Sequence, residues 1–365
     1  MKIALAADWL PTYGGAEHVI AAMHQLWPSA PIYTTLAKRG SIGALNDAEI
    51  ATSSLQNWYI FFGKHRMLLP WMPRAMERFD FSGFDVIVSS SHAIGKGIIP
   101  PSSACHICYC HTPMRYAWEM EDVYLHDFGI TGPLKKIAKK TLRKLRRWDL
   151  CTARRVDHFL ANSSETARRI QEIYGREATV IHPPVEDHFF AISMERPAST
   201  NHYFLAVGRL VPYKRFDLLI ELANAQKLPL KIVGRGHDEK RLKKMAGPTV
   251  EFLGFVKDEE LSTIYRNASA LLFPQLEDAG VVPLEAQACG TPVIALGKGG
   301  ALDTIVDGTT GLFFAEQTQE SLENAISRFK AMTFDRAVIR KHAEQFSLVR
   351  FKERLAQEIG THMKT

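Results

Sequence analysis

The segment from Gln275 to Gly290, QLEDAGVVPLEAQACG, joins two carboxylates to a run of small residues and a proline. Proline suits the first position of a helix and glycine its exit, so a short helix is predicted to start at Pro283 and end before Gly290. Unpaired N–H groups and the helix dipole at that start would attract an anion. Ala279 and Gly280 carry too little side chain to hold a phosphate away from the backbone, and Val281 and Val282 continue the same approach. Glu277 falls on the loop before the helix and Glu285 in its first turn. Carboxylates beside a phosphate site have a natural use, which is to accept hydrogen bonds from sugar or ribose hydroxyls. For Glu285 alone, complementing the helix dipole explains the residue equally well.

A second segment, GRLVPYKR, follows the apolar run YFLAV and sets Arg209 and Lys214 five positions apart. One such pair is ordinarily surface charge. Beside a predicted anion site, both become candidates to hold a diphosphate. Gly14 and Gly15 in YGGAE open a predicted helix, where absent side chains leave N–H groups accessible to a phosphate or acceptor, although a lone glycine pair is most often a turn. His111 ends CHICYCH. With Cys105, Cys108 and Cys110 it superficially resembles a metal cluster. The alternation is that of a strand and no second ligand pair follows, so no metal site is expected.

These residues need a scaffold, and the sequence describes one. At 365 residues and 41.0 kDa the chain exceeds what a single growing core serves, so two domains are expected with a cleft between them. Hydrophobic residues at 46% and charged residues at 23% exclude a disordered chain. KIALAA, APIYTTL, FDVIVSSS and CHICYCH read as strands of a first α/β domain, residues 1–182. The prolines of VIHPPVE interrupt both kinds of element and mark the boundary. YFLAVG, LPLKIVG, VEFLG, ALLFP, PVIAL and GLFF read as buried strands of a doubly wound parallel sheet over residues 183–345. A final amphipathic helix, residues 346–365 with Ser347 as N-cap, is expected to return towards the first domain.

Asp8 interrupts the opening apolar run MKIALAADWL, and no other run is long enough to span a bilayer, so no integral membrane segment is expected. Five cysteines in so long a chain point to a reducing compartment, the cytosol. The net charge of +6 is local: Lys135, Lys136, Lys139, Lys140, Arg143, Lys144, Arg146 and Arg147 supply +8, leaving −2 for all other residues. Leu134, Ile137, Ala138, Thr141, Leu145 and Trp148 share one helical face of that segment. The pattern suits a helix lying on an anionic membrane, and equally a solvated helix packed on its own domain. The aromatic and basic segment NWYIFFGKHRMLLPWMPRAM offers a second lipid-facing or acceptor-facing patch.

EDAGVVPLEAQACG, with glutamates eight positions apart, resembles the signature of the retaining glycosyltransferases of family 4, which have the GT-B fold of two Rossmann-like domains facing across a cleft. YGGAE, NSS, VIHPPVE, VGRLVPYKRFDLLI, IVGRG, VEFLGFV and GGALDTIVDGTTGLFF follow in the family's order, so the resemblance covers most of the chain. It implies that Arg209 and Lys214 bind the donor diphosphate in place of a metal ion, that Glu277 touches the donor sugar and Glu285 the ribose, and that backbone near Gly254 and Phe255 meets the base. It implies that His111 contacts the transferred sugar, and that attack occurs on the front face with the leaving phosphate assisting deprotonation. No Asp-x-Asp occurs, which agrees with a site needing neither metal nor cofactor. Asp303 departs from the glutamate of many relatives; helix capping is the only role expected of it.

HTPMRYAW and GRLVPYKR look most like bacterial mannosyltransferases of the WbaZ type, which build lipopolysaccharide or exopolysaccharide units. The implied partners are GDP-mannose, with UDP-sugars open, a lipid-linked or saccharide acceptor, and the inner face of the cytoplasmic membrane. An oxidoreductase would need Gly-x-Gly-x-x-Gly after a first strand, and neither half has it. A nucleic-acid-binding protein would explain the basic segment but not the two glutamates or glycine loops. A GT-B protein reduced to a binding subunit would not need Arg209, Lys214, Glu277 and Glu285 together.

Overall fold

The computed structural model describes residues 1–12, 14–38, 40–63, 65–119, 132–195 and 202–362; of Arg66, Tyr116, Pro133 and Leu134 it describes the backbone only. The chain divides into two units, Met1–His182 with Lys352–Thr365, and Pro183–Phe351. Each is built on one parallel sheet.

The first sheet has seven strands: β1 Ile3–Ala7, β2 Ile32–Thr34, β3 Ile50–Thr52, β4 Val86–Ser91, β5 Cys105–Cys110, β6 His158–Ala161 and β7 Ala178–Val180, in the order β3-β2-β1-β4-β5-β6-β7. The second has six: β8 Phe204–Val207, β9 Leu230–Val233, β10 Val250–Gly254, β11 Ala270–Phe273, β12 Val293–Leu296 and β13 Gly311–Phe314, in the order β10-β9-β8-β11-β12-β13. The central strands are short apolar runs buried on both faces, as helices covering both sides of a parallel sheet require. In both sheets the strand order reverses beside the first strand, between β1 and β4 and between β8 and β11. Loops leaving the carboxyl ends of those neighbours part to opposite sides and open a crevice, the place where such sheets receive ligands.

The basic segment forms a helix, Pro133–Ala153. Leu142 and Leu145 are buried in a cluster with Leu36, Leu68, Met72 and Met114, and Ala138 and Trp148 pack against it. Of the stripe read from the sequence, Ala138, Leu145 and Trp148 face the unit's own core, Thr141 is half-buried and Ile137 is 63% exposed; the Leu134 side chain lies outside the described residues. Burial of about 25 cal/mol per Å2 of apolar area favours this packing over exposure. Lys135, Lys136, Lys140, Arg143, Lys144 and Arg147 remain exposed, while Lys139 and Arg146 are half-buried. Arg146 donates to the Ala117 carbonyl and sits 5.9 Å above the Trp118 ring.

A buried ion pair fixes this helix to the unit. Lys96 donates to Asp149, both nearly inaccessible. The other carboxylate oxygen accepts from Trp118 Nε1 at 2.7 Å and from the Tyr174 hydroxyl at 2.8 Å. Lys96 also lies 5.3 Å from the Tyr174 ring centre and 5.6 Å from that of Trp148. Removing one partner of such a pair leaves a charge in a dry site, which costs far more than the pair contributes. Asp149→Ala is therefore expected to destabilise the first unit by about 3 kcal/mol or more, read as a lower urea midpoint; an unchanged midpoint would mean that Lys96 finds water instead.

Candidate functional site

At the switch point of the second sheet, β8 ends at Val207 and β11 at Phe273, and the loops after them carry Lys214 and Glu277. Lys214 Nζ lies 3.0 Å from Glu277 Oε1, with the side chains 13% and 24% exposed. Gly208, at φ +149°, lets the lysine fold back over the strand end: a Cβ there would lie 3.1 Å from Nζ. Arg209 is exposed and has no ion-pair partner among the described residues. The site thus holds a paired cation, an unpaired cation and a carboxylate at the mouth of the crevice.

The Glu277 loop is held by the glycine pair after β12. Gly300 N–H donates to the Glu277 carbonyl at 2.9 Å, and a Cβ on Gly300 would fall 2.3 Å from the Asp278 carbonyl oxygen. Only glycine allows that approach, which gives GGALD a purpose its sequence leaves unstated. The helix begins at Val281, not at the expected Pro283, with Gly280 as N-cap at φ +63°. Pro283 is the third helical residue. It is tolerated there because the first turn's N–H groups have no helical partner to lose. Glu285 accordingly lies at the start of the second turn rather than in the first. It accepts from the buried Tyr265 hydroxyl at 2.8 Å. Ala279 and Gly280 are buried, Val281 and Val282 half-buried. Gly300 is N-cap of the next helix, Ala301–Thr304, so Asp303 lies within that helix and does not cap it.

Gly254 ends β10 at φ +69° beside a register shift, its carbonyl accepting from Gly234 N–H at 2.7 Å; Phe255 is 71% exposed. Gln275, one residue beyond Pro274, is buried with no partner for its Nε2 among the described residues. Neither Gln275 nor Tyr265 was marked by the sequence, since a buried amide and a buried tyrosine have no spacing signature.

The first sheet's switch point holds a second charged pair. Asp8 follows β1 and His92 follows β4. Asp8 is fully buried; Oδ2 accepts from His92 Nδ1 and from the His92 backbone N–H, each at 2.7 Å. Oδ1 accepts from the N–H groups of Ile94 and Gly95 and from Ser91 Oγ. Burial disfavours the carboxylate, but the charge and hydrogen bonds of His92 overcome it and hold Asp8 well below the usual range. Burial likewise opposes the His92 cation, and Asp8, with Glu17 behind it, raises His92 above its ordinary value. The His92 ring packs edge-on to Trp9 at 4.9 Å and is 30% exposed, with no protein acceptor for Nε2 among the described residues.

Gly14 is N-cap of the helix Gly15–Leu26, and Glu17 in its first turn is buried, with its carboxyl raised by that burial. His111 follows β5, its Nε2 2.8 Å from Ser90 Oγ and its ring 6.3 Å from that of His92. Burial, then the positive His92, push His111 down to about 3, so it is a neutral hydrogen-bonding group and not an acid. Burial also raises the Cys108 thiol to about 12 and holds the Cys110 thiol well above its ordinary value, so both are protonated.

Two Rossmann-like parallel sheets, each with charged loops at its switch point, are the architecture of the GT-B glycosyltransferases. Residues 13–189 match the family model for Glycosyltransferase Family 4, and residues 191–346 match that for Glycosyl transferases group 1. The two matched stretches together run from residue 13 to residue 346, interrupted only at residue 190. It is 31% identical over 218 residues to a D-inositol 3-phosphate glycosyltransferase of Mycobacteroides abscessus, covering 52% of this chain and 48% of that protein. It is 29% identical over 294 residues to the mannosylfructose-phosphate synthase of Agrobacterium fabrum, covering 71% and 64%. The alignments thus span about half the length of the first curated relatives. In fold it resembles the sucrose-phosphate synthase of Thermosynechococcus elongatus (TM-score 0.73, 18% identity, 100% of both chains). It also resembles Anabaena HepE in complex with UDP (TM-score 0.71, 17% identity, 99% and 100%).

Sequence reading missed Asp8, Glu17 and His92: Asp8 served only to exclude a membrane span, and a pair so distant in the chain has no local pattern. Its pH behaviour tests the geometry. The lowered Asp8 value contributes stability that is complete above about pH 4 and lost as pH falls towards it. The raised His92 value contributes stability that is complete below about pH 6.5 and lost as pH rises through it. Asp8→Asn should therefore lower the melting temperature most between those limits, with the gap to the native chain narrowing on either side. A gap independent of pH would refute the ion pair.

Proposed function

We propose that the chain is a retaining glycosyltransferase that needs no metal ion. On this reading it moves mannose from GDP-mannose to a lipid-linked or saccharide acceptor in bacterial surface-polysaccharide biosynthesis. The observation that supports the transferase reading most is the Lys214–Glu277 pair beside the exposed Arg209 and the glycine-started helix at Val281. Arg209, Lys214 and the helix N–H groups stabilise the departing diphosphate, charge that grows as the C1–O bond breaks. Glu277 aims Lys214 and accepts from a hydroxyl of the donor sugar. Glu285, oriented by Tyr265, accepts from the ribose. The base lies along Gly254 and Phe255.

Neutral His111 exchanges hydrogen bonds with the transferred sugar without donating a proton to it. The acceptor oxygen forms its bond to C1 on the face the phosphate leaves, and the hydroxyl proton passes to the leaving phosphate oxygen, so configuration is retained. Gly14 and Gly15 offer N–H groups to the acceptor or the phosphate, and His92 supplies a clamped N–H donor in the acceptor-binding unit.

Support for mannose comes from the resemblance of HTPMRYAW and GRLVPYKR to mannosyltransferases. UDP-sugars are the second reading, favoured by the relatives of this fold that bind UDP and UDP-glucose. A non-catalytic subunit is disfavoured because Arg209, Lys214, Glu277 and Glu285 are all present. Among the described residues no helix is long and apolar enough to cross a membrane. Attachment is read as peripheral, to the inner face of the cytoplasmic membrane.

Lys214→Ala and Glu277→Ala are each expected to lower turnover, scored as donor hydrolysis and as sugar transfer, by about a hundredfold or more. Near-native turnover in either variant would remove that residue from the mechanism.

A further inference from the structure

The first unit carries large apolar side chains that its core leaves outside. In the helix Leu55–Phe62, Leu55 and Tyr59 pack inward on the cluster that also takes Leu142 and Leu145 of the basic helix. The opposite side is open: Trp58 is 56% exposed, Ile60 72% and Phe61 81%, and Trp71 just beyond is 59% exposed. No residue of this helix is fully buried. Scattered exposed apolar residues are ordinary, but six bulky ones within fourteen positions, Phe62 and Met67 included, form a patch that asks for a partner.

The charge around the patch says what that partner is. Residues 50–76 contain no Asp or Glu, and Lys64, Arg66 and Arg74 are their cations. The basic helix, which shares the inner cluster, turns most of its cations outward, and Ile137 among them is 63% exposed. Both helices pack their inner sides on this one cluster. We propose that this face, Trp58, Ile60, Phe61 and Trp71 bordered by the cationic side of Pro133–Ala153, is where the chain docks on an anionic lipid bilayer. The proposal rests on the peripheral-membrane reading above and says which surface carries it.

Aromatic and aliphatic side chains enter the boundary between headgroups and acyl chains, with tryptophan suited to the headgroup level, while cations beside them meet anionic lipid. The basic helix thus contributes mainly charge, since Leu142 and Leu145 are spent on the core and Ile137 is its one apolar stripe residue described as exposed. A second copy of the chain is a poor occupant. A twofold contact through this face would set one row of cations against the same row of its partner.

Flotation of the full chain with vesicles tests this. One set contains phosphatidylcholine alone and the other equal parts phosphatidylcholine and phosphatidylglycerol. The native chain should float with the anionic set. Ile60→Ser with Phe61→Ser should weaken that partition about tenfold or more, with the thermal midpoint and donor hydrolysis unchanged, because both side chains are solvent-exposed. Changing Lys136, Lys140, Arg143 and Lys144 to Gln should remove the preference for anionic vesicles. Equal flotation of the Ile60/Phe61 variant would overturn this surface and leave the membrane reading standing; failure of the native chain to float with either set would overturn both. A native dimer that the Ile60/Phe61 changes convert to monomer, with no flotation, would assign the face to self-association and overturn the proposal.

Discussion

The second unit's site depends on one contact, the 3.0 Å approach of Lys214 to Glu277 at the β8/β11 switch point. A lysine amine is a strongly hydrated point charge on a flexible stem, and left alone it would occupy many positions at the mouth of the crevice. Pairing with Glu277 selects one of them. The price in local geometry falls on glycine: Gly208 must leave room for the amine, and Gly300 must let the Glu277 loop approach within contact of its own backbone. A half-exposed pair of this kind adds little to stability. On the proposed function its value is preorganisation, because a cation held before a diphosphate arrives need not be reorganised as charge develops on the leaving group.

The first unit solves the same topological problem with a different pair. Asp8 and His92 also stand on the two strands at a switch point, but here the carboxylate is buried and saturated by backbone N–H groups, and only the imidazole edge reaches the surface. The consequence extends to His111, whose neutral state follows from burial and the nearby His92 charge. A histidine, by type a candidate acid, is thus made a hydrogen-bonding group by its neighbours.

The fold class was legible because buried parallel strands are short uninterrupted apolar runs, and KIALAA, VIVSSS, YFLAV, ALLF and VIAL could hardly be read otherwise. Around the candidate site, Lys214 and Glu277 were legible as types in separate motifs, whereas their meeting required the sheet order. The helix start was displaced by two residues because proline's tolerance extends through the first turn, and the left-handed Gly280 sets the cap instead. The basic helix shows the limit most plainly. An amphipathic stripe looks alike whether it faces a core or a bilayer, and only the packing of Leu142, Leu145 and Trp148 distinguishes the two. Asp8–His92 and Tyr265–Glu285 were illegible because each joins residues whose proximity is made by tertiary structure alone.

Calorimetric titration of the purified chain with GDP-mannose, UDP-glucose, UDP-N-acetylglucosamine and ADP-glucose in the presence of EDTA tests the central claim most directly. Saturable one-site binding selective for GDP-mannose and undiminished by the chelator is the expected result. Silence from all four nucleotide sugars, with the chain folded, would contradict it.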